Sequence, residues 1–214
     1  MTTVLLTGFE PFDGDYVNPS WDTVQRLQGE TIAGAQVVSV RLPCVFGVAL
    51  RVLEHATRLH RPTTVIAVGQ AGGRSDITPE RVAINLNDAR ISDNAGKQPT
   101  DQAIRKLGPA AYFSTLPVKA IVQALLAQGL PASVSHSAGT FVCNHVFYGL
   151  MALQEKYAIQ HCGFIHIPFL PSQAAQRGGA PSMALEDMIR ALRIAVEVSA
   201  RRKRDVRIRG GQTH

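Results

Sequence analysis

TTVIAVG, residues 63–69, is a short run of β-branched and small apolar residues, and it predicts a β-strand. Similar runs recur at 3–9, 35–42, 132–137 and 161–167. Segments with apolar positions at helical spacing separate or follow them, at 19–28, 46–60, 117–128, 143–157 and 181–201. This alternation predicts an α/β fold: a three-layer α/β/α sandwich in a single domain, around a mostly parallel, mixed and twisted central sheet.

The composition supports one soluble domain without covalent crosslinks. The chain has 214 residues, of which 45% are hydrophobic and 18% charged, enough to bury one good-sized core. Its three cysteines, Cys44, Cys143 and Cys162, cannot all pair and show no CxxC spacing, which favours a reducing, cytoplasmic location. No apolar stretch approaches the roughly 18 residues of a membrane helix.

Most of the net charge lies in a basic C-terminal tail. The chain carries a net charge of +6, and RRKRDVRIR at 201–209 has six basic groups and one acid. We therefore expect one domain at 1–200 and a solvated basic tail at 201–214. No aromatic residues alternate with these charges, so binding of nucleic acid or a membrane is not favoured.

Ligands of parallel sheets gather beyond the carboxyl ends of the strands, and Cys143 follows such an end. SAGTFVCNHVFYGL, residues 137–150, places this cysteine in the first turn of a predicted helix. Unpaired amides and the positive end of the helix dipole there predict a lowered thiol pKa and a reactive thiolate. The position alone equally suits a buried structural cysteine.

A nucleophilic thiol needs a base, and two of the seven histidines close predicted strands beside this helix. His145 lies about 200° around the helix from Cys143, so its ring cannot face the thiol. His136 and His166 remain, and we favour His166 because Pro168 ends its strand and holds the ring at the sheet edge. A hydrogen-bonded structural histidine is the alternative. The remaining histidines lie away from that edge: His55, His60, His161 and His214.

The stretch GQAGGRSDITPERVAINLND offers three acids that could orient the base, Asp76, Glu80 and Asp88. Their spacing does not choose among them. Other chemistries have weaker signals, because SHSAG lacks the first glycine of GxSxG and no HExxH is present. GQAGG after a strand suggests a nucleotide-binding turn, but it is not GxGxxG.

Four segments, in order along the chain, closely resemble the pyrrolidone-carboxylate peptidases, also called pyroglutamyl peptidases type I. They are TGFEPFDG (7–14) with Asn18-Pro19, GQAGGRSDITPERVAINLNDARISDN (69–94), SAGTFVCN (137–144) and FIHIPFLP (164–171). The resemblance implies a cysteine peptidase that removes N-terminal pyroglutamate. It implies Cys143 as nucleophile, His166 as general base and acid, and Glu80 as the orienting acid.

The resemblance also implies how the substrate is held. The backbone N–H of Cys143, at its helix start, is suited to the oxyanion, and the family suggests that Arg90 assists. Ser92 stands where the family pattern has proline, near Arg90. The pocket residues implied for the lactam ring are Phe9, Phe12, Asn18, Gln70, Phe141 and Val142.

The family further implies a homotetramer without metal or organic cofactor, acting on peptides and not on nucleic acid or membranes. Two alternatives remain open from the sequence. One is a nucleoside-binding α/β enzyme that uses the GQAGG turn, whose activity would survive thiol alkylation. The other is a catalytically inactive family member that binds acidic partners through its tail.

Overall fold

The computed structural model describes residues 2–211, so Met1 and residues 212–214, with His214, lie outside it. Eight strands and six helices are formed in this range. The strands are β1 (Thr2–Phe9), β2 (Thr31–Ile32), β3 (Ala35–Leu42), β4 (Thr64–Gln70), β5 (Thr78–Pro79), β6 (Val82–Ile84), β7 (Ala111–Phe113) and β8 (His161–Ile167). The helices are α1 (Pro19–Gln25), α2 (Val48–His60), α3 (Val118–Ala127), α4 (Val142–Leu153), α5 (Pro171–Ala175) and α6 (Leu185–Arg201).

The central sheet has six strands in the order β2-β3-β1-β4-β8-β5. The four inner strands, β3, β1, β4 and β8, are mutually parallel. Both edge strands, β2 and β5, run antiparallel to their neighbours, so the sheet is mixed as predicted. Strands β6 and β7 form a separate antiparallel pair.

Apolar residues from the two faces of the sheet enter two separate cores. One core contains Val65, Ala67 and Phe164 and is covered by α2 and α4. The opposite core contains Ile66 and Ile165 and is covered by α1, α3 and α6. The predicted three-layer α/β/α sandwich is confirmed.

The predicted strand at 132–137 is wrong. This segment instead forms isolated bridges beside β5, pairing Ala132 with Ile77 and Ser135 with Glu80. A continuous ladder does not form because Pro79, in the middle of the pairing, has no N–H to donate. The segment still fixes the chain around Glu80, since Arg81 N–H donates to the carbonyl of Ser135 at 2.8 Å.

The predicted helix start at Asn18-Pro19 is confirmed. The side chain of Asn18 caps α1 by accepting from the Ser20 N–H at 3.0 Å, and Pro19 is the first helical residue. Helices α1, α4 and α6 are shorter than the predicted segments. Helix α4 ends at Leu153 and is followed by turns over residues 154–158, where Ala158 has a φ of 51°.

The basic segment after α6 is largely exposed to solvent, although several hydrogen bonds hold it against the fold. The Asp205 carboxylate accepts from the backbone N–H groups of Lys119 and Ala120 at 3.0 and 2.9 Å and so caps α3. Arg81 also donates to the carbonyl of Gly210 at 3.2 Å. Within residues 2–211, no helix combines the length and apolar character that crossing a bilayer requires.

Candidate active site

The carboxyl ends of β4 and β8 form the floor of the candidate site. Gly69 on β4 and His166 on β8 are partners in the parallel register. Alternation along β8 places His166 on the same sheet face as Phe164, the face covered by α4. The two rings are in contact, with centroids 4.8 Å apart.

Cys143 is the second residue of α4, and its sulfur lies directly over Gly69. A Cβ built on Gly69 would lie 2.8 Å from Sγ of Cys143 and 2.7 Å from Cζ of Phe164. Only glycine therefore leaves room for the thiol at the end of β4. The start of α4 is fixed by Asn144, whose side chain bonds both the N–H and the carbonyl of Ile84.

His166 and Glu80, the predicted base and orienting acid, are joined by a short hydrogen bond. Nδ1 of His166 lies 2.7 Å from Oε1 of Glu80, and the Glu80 side chain is fully buried. Burial acts to raise the pKa of Glu80, but the hydrogen bond and charge of His166, with smaller contributions, outweigh it and lower the pKa. The ionised carboxylate can only accept, so Nδ1 carries the proton and Nε2 keeps its lone pair.

Nε2 of His166 is open in the free protein. No group among residues 2–211, Sγ of Cys143 included, forms a hydrogen bond with it, while Nδ1 is held by Glu80. Catalytic hydrogen bonds are often long or poorly aligned in free enzymes and tighten when substrate is bound. The imidazole is therefore oriented by its acid and available to a neighbouring proton donor.

Arg74 is a site residue that the sequence reasoning missed. Its Nη1 donates to Oε1 of Glu80 at 2.7 Å and to the hydroxyl of Thr78 at 2.6 Å. Its Nη2 donates to the carbonyl of Ser137 at 3.0 Å. The available signal was the arginine six residues before Glu80 in GQAGGRSDITPE, and only the folded chain reveals its partner.

The expected lowering of the Cys143 pKa is not found. Burial raises the pKa of this thiol to about 12, and the Glu80 carboxylate adds to the rise while Arg74 opposes it. Burial outweighs the effect of the helix start because a thiolate loses its hydration there. The resting sulfur is therefore a neutral thiol, so the predicted nucleophile needs a base to accept its proton.

Arg90 lies on an exposed loop that is tied to the approach to α4. Asp88, two residues earlier, donates its N–H to the carbonyl of Thr140 at 3.0 Å, and the Thr140 hydroxyl returns a bond to Asp88 at 2.6 Å. The Arg90 carbonyl accepts from Gln98 at 3.1 Å. Ser92 bonds the same Gln98 side chain at 3.4 Å. The contact of Arg90 with a substrate oxygen stays a prediction.

Two of the four apolar pocket residues are brought together at the surface. Phe12 and Phe141 are partly exposed, with ring centroids 6.1 Å apart. Phe46 packs edge-on against Phe141 at 5.4 Å and widens this aromatic group. Phe9 is only 2% exposed and Val142 is fully buried, so in the free protein both lie beneath the surface.

The two side-chain amides predicted to bind the lactam, those of Asn18 and Gln70, differ in the hydrogen bonds that they already form within the protein. Asn18 is 2% exposed, accepts from Ser20 and donates to the Glu10 carbonyl at 3.0 Å. Gln70 is half-buried at the end of β4, and its Oε1 accepts from Gln173 at 2.9 Å. Their contacts with substrate stay predictions.

The competing candidates lie elsewhere. Asp76 bonds the Ser133 hydroxyl and Asp88 is exposed, so of the three acids only Glu80 reaches His166. His136, the other histidine considered, is exposed. The other two cysteines, Cys44 and Cys162, are buried in the core under α2 and α4, and burial raises their pKa values.

A thiol at a helix start, close to an imidazole oriented by a buried carboxylate on an α/β sandwich, is typical of cysteine hydrolases. The chain belongs to the pyroglutamyl peptidase family, because the family model described as "Pyroglutamyl peptidase" matches residues 2–202. This confirms the resemblance drawn from the four sequence segments.

Individual relatives agree over the full length. The chain is 59% identical over 215 residues to pyrrolidone-carboxylate peptidase 1 of Ralstonia nicotianae, covering all of both chains. It is 58% identical over 214 residues to the pyrrolidone-carboxylate peptidase of Klebsiella pneumoniae, again over all of both. The crystal structure of pyroglutamyl peptidase I from Bacillus amyloliquefaciens matches with a TM-score of 0.94 at 51% identity, covering 96% of this chain and 100% of that one. A mutant pyrrolidone carboxyl peptidase from Pyrococcus furiosus matches with a TM-score of 0.90 at 43% identity, covering 92% and 98%.

Proposed function

We propose that this cysteine peptidase removes N-terminal pyroglutamate from peptides with Cys143 as nucleophile, His166 as base and Glu80 as orienting acid. Family membership over residues 2–202 supports the reaction. The observation that carries the residue roles is the 2.7 Å bond between buried Glu80 and Nδ1 of His166, at the strand end where the Cys143 sulfur lies. Neither the nucleoside-binding alternative nor the inactive one has support.

The acylation step follows from the protonation states. Nε2 of His166 takes the thiol proton as Sγ of Cys143 attacks the pyroglutamyl carbonyl, and the new C–S bond gives a tetrahedral intermediate. The C–N bond then breaks, His166 delivers the proton to the leaving amine, and an acyl-enzyme remains. Water, deprotonated by His166, hydrolyses the thioester and releases pyroglutamate. Glu80 stabilises the imidazolium that forms in each half.

The oxyanion is held at the start of α4. The first amides of a helix have no intrahelical acceptor, so the N–H of Cys143 is available to the developing negative charge. Arg90 supplies a second donor from its exposed loop, which the bonds between Asp88 and Thr140 hold beside the start of α4.

The lactam ring fits an apolar slot with few polar groups, because it has no amine or carboxylate for a charged side chain to bind. Phe12 and Phe141 enclose the ring, and Phe9 and Val142 support this wall from beneath. Gln70 and Asn18 provide the amides that meet the ring N–H and C=O. No metal or organic cofactor takes part in these steps.

We further propose a cytoplasmic homotetramer built from one domain, 1–200, with a basic tail, 201–214. Exposed large apolar side chains, among them Leu107 at 97% and Phe113 at 71%, support association between copies. The three free cysteines of residues 2–211 suit a reducing compartment. Light scattering coupled to gel filtration measures the subunit number, and a monomeric mass would refute the tetramer.

The residue roles are tested with a pyroglutamyl-arylamide substrate and the reduced protein. We expect Cys143→Ala, Cys143→Ser and iodoacetamide treatment each to abolish release of the arylamine, because each removes or blocks the thiol that lies over Gly69. Cys162→Ala is the matched control, since this cysteine is buried in the core, and it should keep activity. Full activity in Cys143→Ala would disprove the mechanism.

A further inference from the structure

We propose that Gln173 is a positioning residue for substrate recognition, which fixes the amide of Gln70 so that Gln70 donates to the ring carbonyl of the pyroglutamyl group. Gln173 lies on α5 and is only 3% exposed. It is not among the residues proposed to react with the substrate or to contact it. The inference rests on the proposed function and adds a determinant of specificity to it.

The hydrogen bonds of Gln173 fix which atom of its amide faces which way. The backbone N–H of Leu170 donates to Oε1 of Gln173 at 3.0 Å, and a backbone N–H can only donate. Oε1 therefore faces Leu170, as in the returning half of a helix capping box. Nε2 is left to face the opposite way, with two hydrogens to donate.

Both of those hydrogens have acceptors. Nε2 of Gln173 donates to Oδ2 of Asp15 at 3.0 Å and to Oε1 of Gln70 at 2.9 Å. Because the group facing Gln70 is a donor, the Gln70 amide must present its oxygen to Gln173. A flipped Gln70 would place two NH₂ groups against each other inside a buried network.

The Nε2 of Gln70 is consequently the atom left for a ligand. Within residues 2–211 no acceptor is bonded to it, and Gln70 follows directly after Gly69, on which the thiol lies. A fixed NH₂ group can donate a hydrogen bond to a ring carbonyl oxygen, whereas a ring methylene has no acceptor for it. The arrangement selects a pyroglutamyl ring over a prolyl ring, which differs by that carbonyl.

The same network ties the aromatic loop to the amide. Asp15, which accepts from Gln173, also pairs with Arg177 at 2.6 Å, and its N–H donates to the carbonyl of Phe12 at 3.1 Å. Gln173 thus links the two parts of the pocket that are proposed to contact the lactam ring of the substrate, namely the amide of Gln70 and the aromatic side chain of Phe12.

The first test is a double-mutant cycle on pyroglutamyl-arylamide hydrolysis. We expect Gln173→Met to raise KM about tenfold and to change kcat little, because it frees the Gln70 amide without touching the reacting atoms. We expect Gln70→Met to raise KM about tenfold or more, and the double variant to equal Gln70→Met alone. The inhibition constant of 2-pyrrolidinone, the lactam ring by itself, should follow KM.

Gln154→Met is the matched control. Gln154 is also a partly buried glutamine with several amide bonds, to Thr115 at 3.1 Å and the Ile159 carbonyl at 3.2 Å, but it follows the far end of α4. Its KM should equal that of the wild type. If Gln173→Met raises KM by the same factor with and without Gln70→Met, Gln173 does not act through Gln70 and the inference is overturned.

Gln70→Glu tests the orientation independently, in case Gln173→Met does not fold. A glutamate keeps the oxygen that accepts from Gln173 but replaces the donor by a second acceptor. We expect KM for the arylamide to rise about 100-fold while the melting temperature changes little. An unchanged KM overturns the inference. Failure of the wild-type protein to cleave the substrate would instead refute the proposed function.

Discussion

Two buried histidines, His166 at the end of β8 and His145 on α4, form different hydrogen bonds. His166 is 4% exposed and His145 is 7% exposed. Nδ1 of His166 bonds the carboxylate of Glu80 at 2.7 Å, whereas Nδ1 of His145 bonds the amide oxygen of Asn87 at 3.1 Å. Nε2 of His145 accepts from the N–H of Gly47 at 3.0 Å, while no group among residues 2–211 bonds Nε2 of His166.

The difference between these partners supports the proposed role of His166 as the base and a structural role for His145. His145 has both nitrogens in hydrogen bonds, neither of them to a carboxylate, and burial lowers its pKa to about 4. His166 has one nitrogen fixed by a carboxylate and the other open, the arrangement that a general base requires. Burial alone therefore does not identify a catalytic histidine.

Replacing each histidine by glutamine should give the largest difference in kcat/KM between the two sites. We expect His166→Gln to reduce kcat/KM by about 10⁴-fold or more, because nothing else accepts the thiol proton. We expect His145→Gln to reduce it less than about tenfold and to lower the melting temperature instead. Steady-state kinetics and thermal unfolding of both variants measure this. Equal losses of activity would abolish the distinction.

Glu80→Gln would give His166 the same kind of partner that His145 has. Because Arg74 donates to the same position, the amide oxygen stays there and still accepts from Nδ1 of His166, but it carries no charge to stabilise the imidazolium that forms when the thiol proton is taken. We expect kcat to fall about 10²- to 10⁴-fold with KM little changed. The contrary result, activity near that of the wild type in a correctly folded variant, would mean that the charge of the carboxylate does not stabilise the imidazolium.

Asn87→Asp is the reverse exchange, and its readout is stability against pH. The folded-state pKa of His145, about 4, lies below its unfolded value, so the unfolded chain binds more protons as the pH falls from 6.5. Urea unfolding should show stability falling by up to about 3 kcal/mol between pH 7 and 4.5, on the scale of a pKa shift of this size. In Asn87→Asp the new carboxylate raises the pKa of His145. The loss of stability between pH 7 and 4.5 that is due to His145 should therefore be smaller in this variant. If the free energy of unfolding depends on pH in the same way in both proteins, the loss of stability comes from groups other than His145.

Arg74→Met should have the smallest effect of the four. Arg74 helps to hold the pKa of Glu80 low, so without it Glu80 protonates at a higher pH and the acidic limb of the kcat profile moves upward. We expect kcat at neutral pH to fall about tenfold, and Arg74→Lys to restore part of it. Arg193→Met, which breaks the exposed pair with Glu30, is the control and should leave the profile unchanged. A purely structural Arg74 would lower stability without moving the acidic limb.

Sequence reasoning reached the elements that carry strong local signals. The four parallel strands and the start of α1 were predicted because β-branched runs and an Asn-Pro cap are local properties of the chain. The prediction failed at 132–137, where strand-like residues lack a continuous partner because Pro79 interrupts the pairing. It also gave the wrong direction for the Cys143 pKa, since the helix start is visible in the sequence and the burial of the sulfur is not.

The sequence by itself determined the four parallel strands, the three-layer α/β/α class and the placement of a thiol and an imidazole at strand ends, because periodicity and the direction of parallel strands fix these. Residue patterns left three acids open and the family resemblance favoured Glu80, but only the tertiary structure shows that Glu80 meets His166, and it alone supplied Arg74 and Gln173. Those contacts join side chains from separate segments, six to 103 residues apart along the chain. Their distances depend on how β5 and α5 pack against β8 and β4, and no local pattern encodes that packing.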